Sequence, residues 1–305
     1  MQNVLVLGGT QFFGKRLVQM LIDHGKNVTI ATRGLTKDSF GDSVERLIID
    51  REKKETIVQA FENRTWDVVY DQSCFSPQEV KDVLDVLKGK VKRYIFTSSQ
   101  AVYEFGTNHK EEHFSPINFS FMFKGRREYV GYGGYQEAKR AAENVLFTQS
   151  DMEVVAVRFP IVVGTDDYTN RLKFYVDKVK NEEPIVAENF DIKLGFILSK
   201  EAAEFLYFLG ESSFQGPINA GSLGDISLLE LIRKIEVFTG KEAILSNDVV
   251  NQQSSPYSLA GSWSVNPEMA IGLGFQFSDL NLLLDDLINF YNNRNGNEHL
   301  FFYQE

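Results

Sequence analysis

Tyr135 and Lys139 stand four residues apart in the segment Tyr135-Gln-Glu-Ala-Lys139, a spacing that puts a phenol and an ammonium one turn apart on one helical face. Such a pair can move a proton. A free phenol titrates near about 10, and an adjacent cation favours the phenolate and draws it toward the range of a general acid or base. The same spacing occurs in exposed helices that do no chemistry, so its meaning depends on the surrounding elements.

Those elements alternate in type. Short apolar runs at 4–7, 28–31, 47–49, 67–70, 94–97 and 154–158 are separated by helical stretches near 12–23, 52–63, 77–88 and from about Tyr135 onward. This alternation predicts an α/β fold, a doubly wound parallel sheet of Rossmann type whose ligands sit beyond the carboxyl ends of the strands. Beyond Pro160 the alternation fades into polar turns and helices near 170–180, 199–210 and 226–239. Residues 1–165, joined by about 196–212, therefore read as a dinucleotide-binding domain, with 166–195 and 213–305 as a smaller C-terminal α/β substrate lobe.

Composition narrows the class. The 305 residues are 43% hydrophobic, enough for a sizeable core. A net charge of -10 argues against general affinity for polyanions, leaving only a local basic patch for nucleic acid. Cys74, the single cysteine, excludes an internal disulfide and fits a reducing compartment. The opening Met1-Gln-Asn-Val-Leu-Val-Leu7 has no basic leader, and no stretch approaches the roughly 18 apolar residues of a membrane span, so a cytoplasmic protein is expected.

Gly8, Gly9, Thr10, Gln11, Phe12, Phe13 and Gly14 lie between the first strand and first helix, where glycines permit a tight turn and helix-start amides can hold a phosphate. An ordinary glycine-bearing turn is the plain alternative. A phosphate loop spanning Gly9 to Arg16 fails, because Arg16 stands where a magnesium-binding hydroxyl is required. His109-Lys-Glu-Glu-His113 matches a zinc-peptidase pattern, yet Phe114-Ser-Pro116 ends any helix that could aim both rings at one ion, so no metal is expected.

Together these motifs resemble the extended short-chain dehydrogenase/reductase superfamily, the branch of NAD-dependent epimerases and dehydratases, over nearly the whole chain. The glycine turn, though atypical, resembles that branch's opening motif, and Phe96-Thr-Ser-Ser-Gln-Ala-Val-Tyr103 its serine strand. Tyr135 to Lys139 resemble its Tyr-x-x-x-Lys, and Arg158-Phe-Pro-Ile-Val-Val-Gly164 the segment lining the nicotinamide, including Pro160 and Val162. A late Leu-Gly-Phe turn ending at Phe275 extends the match. The resemblance implies that Tyr135 is the proton donor or acceptor. Lys139 would bind the nicotinamide ribose and lower the tyrosine pKa. Ser99, or alternatively Ser98, would hydrogen-bond the reacting oxygen, unless both serines merely cap the strand end. Asp50, with Arg51 beside it, resembles the adenine-contacting aspartate. At the end of the second strand Thr32 replaces the acid that would bind the NAD ribose, and Arg33 follows with a guanidinium suited to the 2'-phosphate of NADP. NADP is thus the expected cofactor, with NAD as the alternative.

Departures from the family pattern also shape the expectation. Gln11 stands where the middle glycine is usual. Gln100 and Ala101 replace the Asp-Glu pair of the sugar dehydratases, which argues against 4,6-dehydration. The expected activity is an NADP-dependent oxidoreductase or epimerase acting on a hydroxyl or carbonyl carbon of a nucleotide-sugar-like or other small polar substrate. Homodimers are common in the family. The loop from Glu104 to Gly134 contains Phe119-Ser-Phe-Met-Phe-Lys-Gly-Arg-Arg-Glu-Tyr129, which could stack bases, line a phosphate pocket or pack as a lid. Relatives with a similar opening include RNA-associated proteins, so a non-catalytic, cofactor-sensing or RNA-binding protein is the second expectation. Arg171 is a further candidate for a substrate phosphate.

Overall fold

A computed structural model describes residues 1–149, 151–250 and 254–293. From the amino end the chain forms β1 (Asn3–Leu7), α1 (Phe12–Asp23), β2 (Asn27–Thr32), β3 (Val44–Ile48), α2 (Lys54–Ala60), β4 (Trp66–Asp71), α3 (Pro77–Leu87) and β5 (Val91–Ser99). There follow β6 (Gly106–His109), α4 (Gly131–Phe147), β7 (Glu153–Phe159), β8 (Ile161–Val163), α5 (Arg171–Lys180), β9 (Pro184–Val186), β10 (Lys193–Leu194), β11 (Phe196–Leu198) and α6 (Ser199–Glu211). The remainder comprises β12 (Gly216–Asn219), β13 (Ile226–Ser227), α7 (Leu228–Thr239), β14 (Ile244–Ser246), β15 (Trp263–Val265), α8 (Glu268–Gly272) and α9 (Leu280–Asn293).

Seven strands build the main sheet in the order β12-β7-β5-β4-β1-β2-β3, every neighbouring pair parallel. Both faces are covered, which is why its inner strands read as continuous apolar runs. Leu17, Val18 and Leu21 of α1 pack with Phe205, Leu206 and Leu209 of α6 on one face. Val80, Val83 and Leu87 of α3 pack with Ala142 and Leu146 of α4 on the other. The seventh strand is a correction: β12 lies in the stretch assigned by sequence to the smaller lobe, yet Gly216–Asn219 pairs with Val155–Arg158. β3 begins three residues earlier than its apolar run suggests. Its exposed Glu45 and Arg46 pair with Arg64 and Asp38, so charges interleave where only Val44 and Leu47 are buried.

The smaller lobe has its own core, in which Leu172 and Val176 of α5 meet Leu231 and Ile235 of α7 and Leu284 and Ile288 of α9. The part of the expected lobe at 294–305 lies outside the described residues. A four-stranded sheet, β13-β10-β15-β6, draws β6 from the 104–134 loop and so fastens that loop to this lobe. Among the described residues no helix is long and apolar enough to cross a membrane.

Candidate functional site

The turn from β1 into α1 is shaped by crowding. Gly8 and Gly9 have φ of +101° and +86°, and a Cβ on Gly9 would sit 2.8 Å from both Val6 and Val18. A Cβ on Gly14 would collide with Gln72 Oε1 and sit 3.2 Å from Gly9 Cα. Helix, strand and turn can approach this closely only without side chains there. Gln11 fits because it is the extended residue preceding the helix, and its side chain lines the opening. Arg16, the residue that spoils a phosphate loop, is paired with Asp166 at 2.6 Å.

Above the carboxyl ends of β1 to β4 lies a cleft of about 330 Å³ lined by Gly8 through Gly14, Arg33, Asp50 and Arg51, together with Gln72, Ser73, Arg126 and Tyr168. Arg33 is exposed at its rim, and no ion pair within the described residues engages it. Asp50 Oδ1 accepts the Glu52 amide at 3.1 Å. Arg51 is placed differently from a free ligand group. It forms a two-pronged pair with buried Asp71, whose carboxylate also accepts the Tyr94 hydroxyl. Burial by itself lowers the Arg51 pKa, but the groups around the guanidinium, Asp71 first among them, together outweigh it and hold the guanidinium well above its ordinary value. Pro160 and Val162 are buried beside the cleft without lining it, and Val162 pairs with Ile197 across β8 and β11.

The cleft suits a dinucleotide. Gln72 Nε2 is buried, lines the opening and has no hydrogen-bond partner, a state that costs about 1–3 kcal/mol unless a ligand accepts from it. Gln72 escaped sequence reading, although its position directly after β4 is where ligands of such sheets bind. Tyr168 gave no local signal, and Arg126 was read only as part of the 119–129 basic cluster, not as a wall of this cleft.

Tyr135 falls in the second turn of α4, because the helix starts at Gly131 rather than at the tyrosine. Of the glycines that disguise this start, Gly134 is required by packing, since a Cβ there would come within 2.7 Å of the Tyr129 carbonyl carbon, while Gly131 has a φ of +66°. Lys139 is buried and donates to the carbonyls of Cys74 and Thr97, each at 3.0 Å. Its Nζ lies 5.9 Å from the Tyr135 ring centre, and Phe75 packs on that ring at 5.8 Å. Ser99 closes β5 and accepts the Ala101 amide at 3.1 Å, capping the turn at Gln100–Val102. Ser98 faces elsewhere and donates to Glu143 Oε1 at 2.5 Å. Gln100 is buried, and its Oε1 has no partner.

The basic cluster of the long loop is neutralised by the fold. Lys124 pairs with Glu137, Arg126 with Glu79 and Arg127 with Glu52. His109 and His113 approach at 3.2 Å between Nδ1 atoms, while Glu111 turns away to accept the Asn219 amide. Burial lowers the His109 pKa, and His113 acts in the same direction. Among the described residues no group of three or more His, Cys, Asp or Glu is placed to hold a metal. Arg171 engages Thr169 Oγ1 at 3.0 Å and the Val162 carbonyl at 3.4 Å.

Residues 4–221 match the model of the NAD dependent epimerase/dehydratase family. The chloroplast stem-loop binding protein of 41 kDa b from Arabidopsis thaliana is 31% identical over 224 residues, covering 68% of this chain. The chain spans only 55% of that relative. Two solved structures share the fold. UDP-glucose 4-epimerase from Thermus thermophilus, in complex with NAD, superposes with a TM-score of 0.74 at 18% identity over 96% of this chain and 100% of that one. dTDP-glucose 4,6-dehydratase from Bacillus anthracis, also with NAD, gives 0.73 at 13% identity over 95% and 96%.

Proposed function

The chain belongs to the NAD dependent epimerase/dehydratase family and is an NAD(P)-dependent enzyme of the short-chain dehydrogenase type, and from that premise we propose an NADP-dependent oxidoreductase or epimerase acting on a hydroxyl or carbonyl carbon of a nucleotide-sugar-like or other small polar substrate. The observation that carries this reading is the joint placement of Tyr135 and Lys139 on α4, beside a sheet whose strand ends form a glycine-walled cleft with an unpaired Arg33 at its rim. The nicotinamide of the cofactor would accept and supply hydride. Gly8 to Gly14 and Gln72 would hold its phosphates, Asp50 its adenine and Arg33 the 2'-phosphate.

The chain's own groups handle the proton. A lysine ammonium has three donors. Two of those on Lys139 are fixed by the Cys74 and Thr97 carbonyls, leaving one for a ribose hydroxyl. Its charge near the Tyr135 ring stabilises negative charge developing on the phenol oxygen, so Tyr135 can take a proton from, or give one to, the substrate oxygen. Ser99 accepts from Ala101 and keeps its own O–H to donate to that oxygen. Gln100 and Ala101 supply neither acid nor base for dehydration.

Titration of NADPH and NADH by fluorescence, with turnover of a panel of UDP- and dTDP-sugars by wild type, Tyr135→Phe and Lys139→Ala, tests the reading. Tighter NADPH binding and loss of turnover in both variants are expected. Undiminished turnover in Tyr135→Phe refutes the mechanism. A reductase changes cofactor absorbance with each cycle, whereas an epimerase returns its hydride and shows no net change.

A second reading is favoured by the chloroplast relative, which is a stem-loop binding protein. Under it, the 119–129 segment binds single-stranded RNA in a salt-dependent manner that requires Lys124, Arg126 and Arg127. Each of these cations already has a glutamate partner, which favours the enzyme reading.

A further inference from the structure

Arg126 stands apart from the other cations of the long loop because it alone of them lines the dinucleotide cleft. It is set there rigidly. Its Nε and Nη2 donate to the two carboxylate oxygens of Glu79 at 2.6 and 3.1 Å, and Nη2 also reaches the Ser73 carbonyl at 3.1 Å. Glu79 is buried, so this anchor is screened from solvent, while the Arg126 side chain keeps 38% of its surface exposed. The guanidinium carbon lies 5.6 Å from the Phe75 ring centre. One residue on, Arg127 pairs with Glu52. The loop is thereby stapled to the chain just after β3, beside Asp50 and Arg51 of the cleft lining, and just after β4.

We propose that Arg126 is a cofactor-binding residue, contributed by the 104–134 loop, whose guanidinium receives the adenosine end of the dinucleotide and offers its plane to the purine. This rests on the dinucleotide reading above. A planar cation pre-oriented by a bidentate carboxylate stacks on a π-face with little further ordering, and an ammonium cannot replace it. Because Phe75 touches both Arg126 and Tyr135, the same contact joins the adenosine end of the cleft to the proton-transfer side.

Dissociation constants of NADPH and of ADP-ribose are measured by calorimetry for wild type, Arg126→Ala, Arg126→Lys and Arg127→Ala, with a thermal melt of each. Arg126→Ala is expected to weaken both ligands about tenfold, within the range for one base–side-chain stack. ADP-ribose lacks the nicotinamide and the 2'-phosphate, so equal losses exclude both groups as the contact and leave the adenosine, diphosphate and second ribose that the two ligands share. Arg126→Lys keeps a cation for Glu79 and is expected to recover the melt but not the affinity; it decides the matter if the alanine variant fails to fold. Arg127→Ala is expected to bind as wild type. Wild-type affinity in Arg126→Lys and Arg126→Ala overturns the assignment, and so does an equal loss in Arg127→Ala, which would trace the effect to loop anchorage. Failure of wild type to bind either ligand instead overturns the dinucleotide reading.

Discussion

Replacing Arg158 with methionine should cost about 3–5 kcal/mol, the range for breaking a buried ion pair by removing one partner. Arg158 and Glu143 are both fully buried, 0% exposed, and meet at 2.6 Å. The guanidinium also donates to the Tyr103 hydroxyl at 2.8 Å and to the carbonyls of Glu111 and Phe114 at 2.9 and 3.2 Å. In the variant, Glu143 keeps only the Ser98 hydroxyl as a partner, and two loop carbonyls lose a donor. Urea denaturation followed by circular dichroism reads the loss as a lower midpoint at unchanged slope. The companion variants are Glu143→Leu and the double Arg158→Met/Glu143→Leu. Each single change strands a buried charge, whereas the double removes both, so the double should cost less than the sum of the singles by roughly 0.5–3 kcal/mol or more. A single loss below about 1 kcal/mol, or strict additivity, would refute the pairing argument. Since Ser98 adjoins Ser99 and the carbonyls belong to the loop over the site, turnover should fall in Arg158→Met even where it remains folded.

Gly9→Ala should lose about 2–4 kcal/mol by denaturation, from left-handed backbone strain and from the clash with Val6 and Val18, and should weaken dinucleotide binding in the folded fraction. The depressed pKa of His109 means that the unfolded chain takes up a proton more readily than the folded one. Its contribution is full above the ordinary imidazole value of about 6.5 and declines as pH falls from there through the lower folded value. The wild-type minus His109→Gln difference in urea midpoint should therefore be flat at pH 7–8 and shift against wild type below that; a constant difference refutes it. Burial pushes the Cys74 thiol up, only partly opposed by Arg51, so a thiol reagent at pH 8 should react slowly with native protein and rapidly in urea, and fast native labelling would contradict its burial.

The parallel sheet was legible because its signals are local. The buried faces of β1, β2, β4, β5 and β7 leave unbroken apolar runs, and the α1 helix announces its inner face through Leu17, Val18 and Leu21. β12 was not legible, since Gly216-Pro-Ile-Asn219 is four residues in which only Ile218 favours a strand, and it becomes a strand only by pairing with β7. The start of α4 was hidden by Gly131, Gly133 and Gly134, of which packing against Tyr129 demands only the last. In the candidate site, the glycine turn, Arg33 and the spacing of Tyr135 and Lys139 could be read directly. The pairing of Arg51 with Asp71 could not, nor could the partnerless Gln72.

What the chain determines by itself is whatever depends on near neighbours: strand and helix periods, the turn that only glycine can make, and a phenol and ammonium one helical turn apart. Tertiary structure decided which charges are free. Arg126 reaches Glu79 across 47 residues, and Lys139 finds its two carbonyls 65 and 42 residues away. The Lys124-Gly-Arg-Arg127 cluster therefore reads as a polyanion patch in sequence and closes as three ion pairs in space. The reason is physical: a side chain's charge is written in its residue type, but its partner, its burial and the ligand atoms left to it are set by distances that only the folded chain defines.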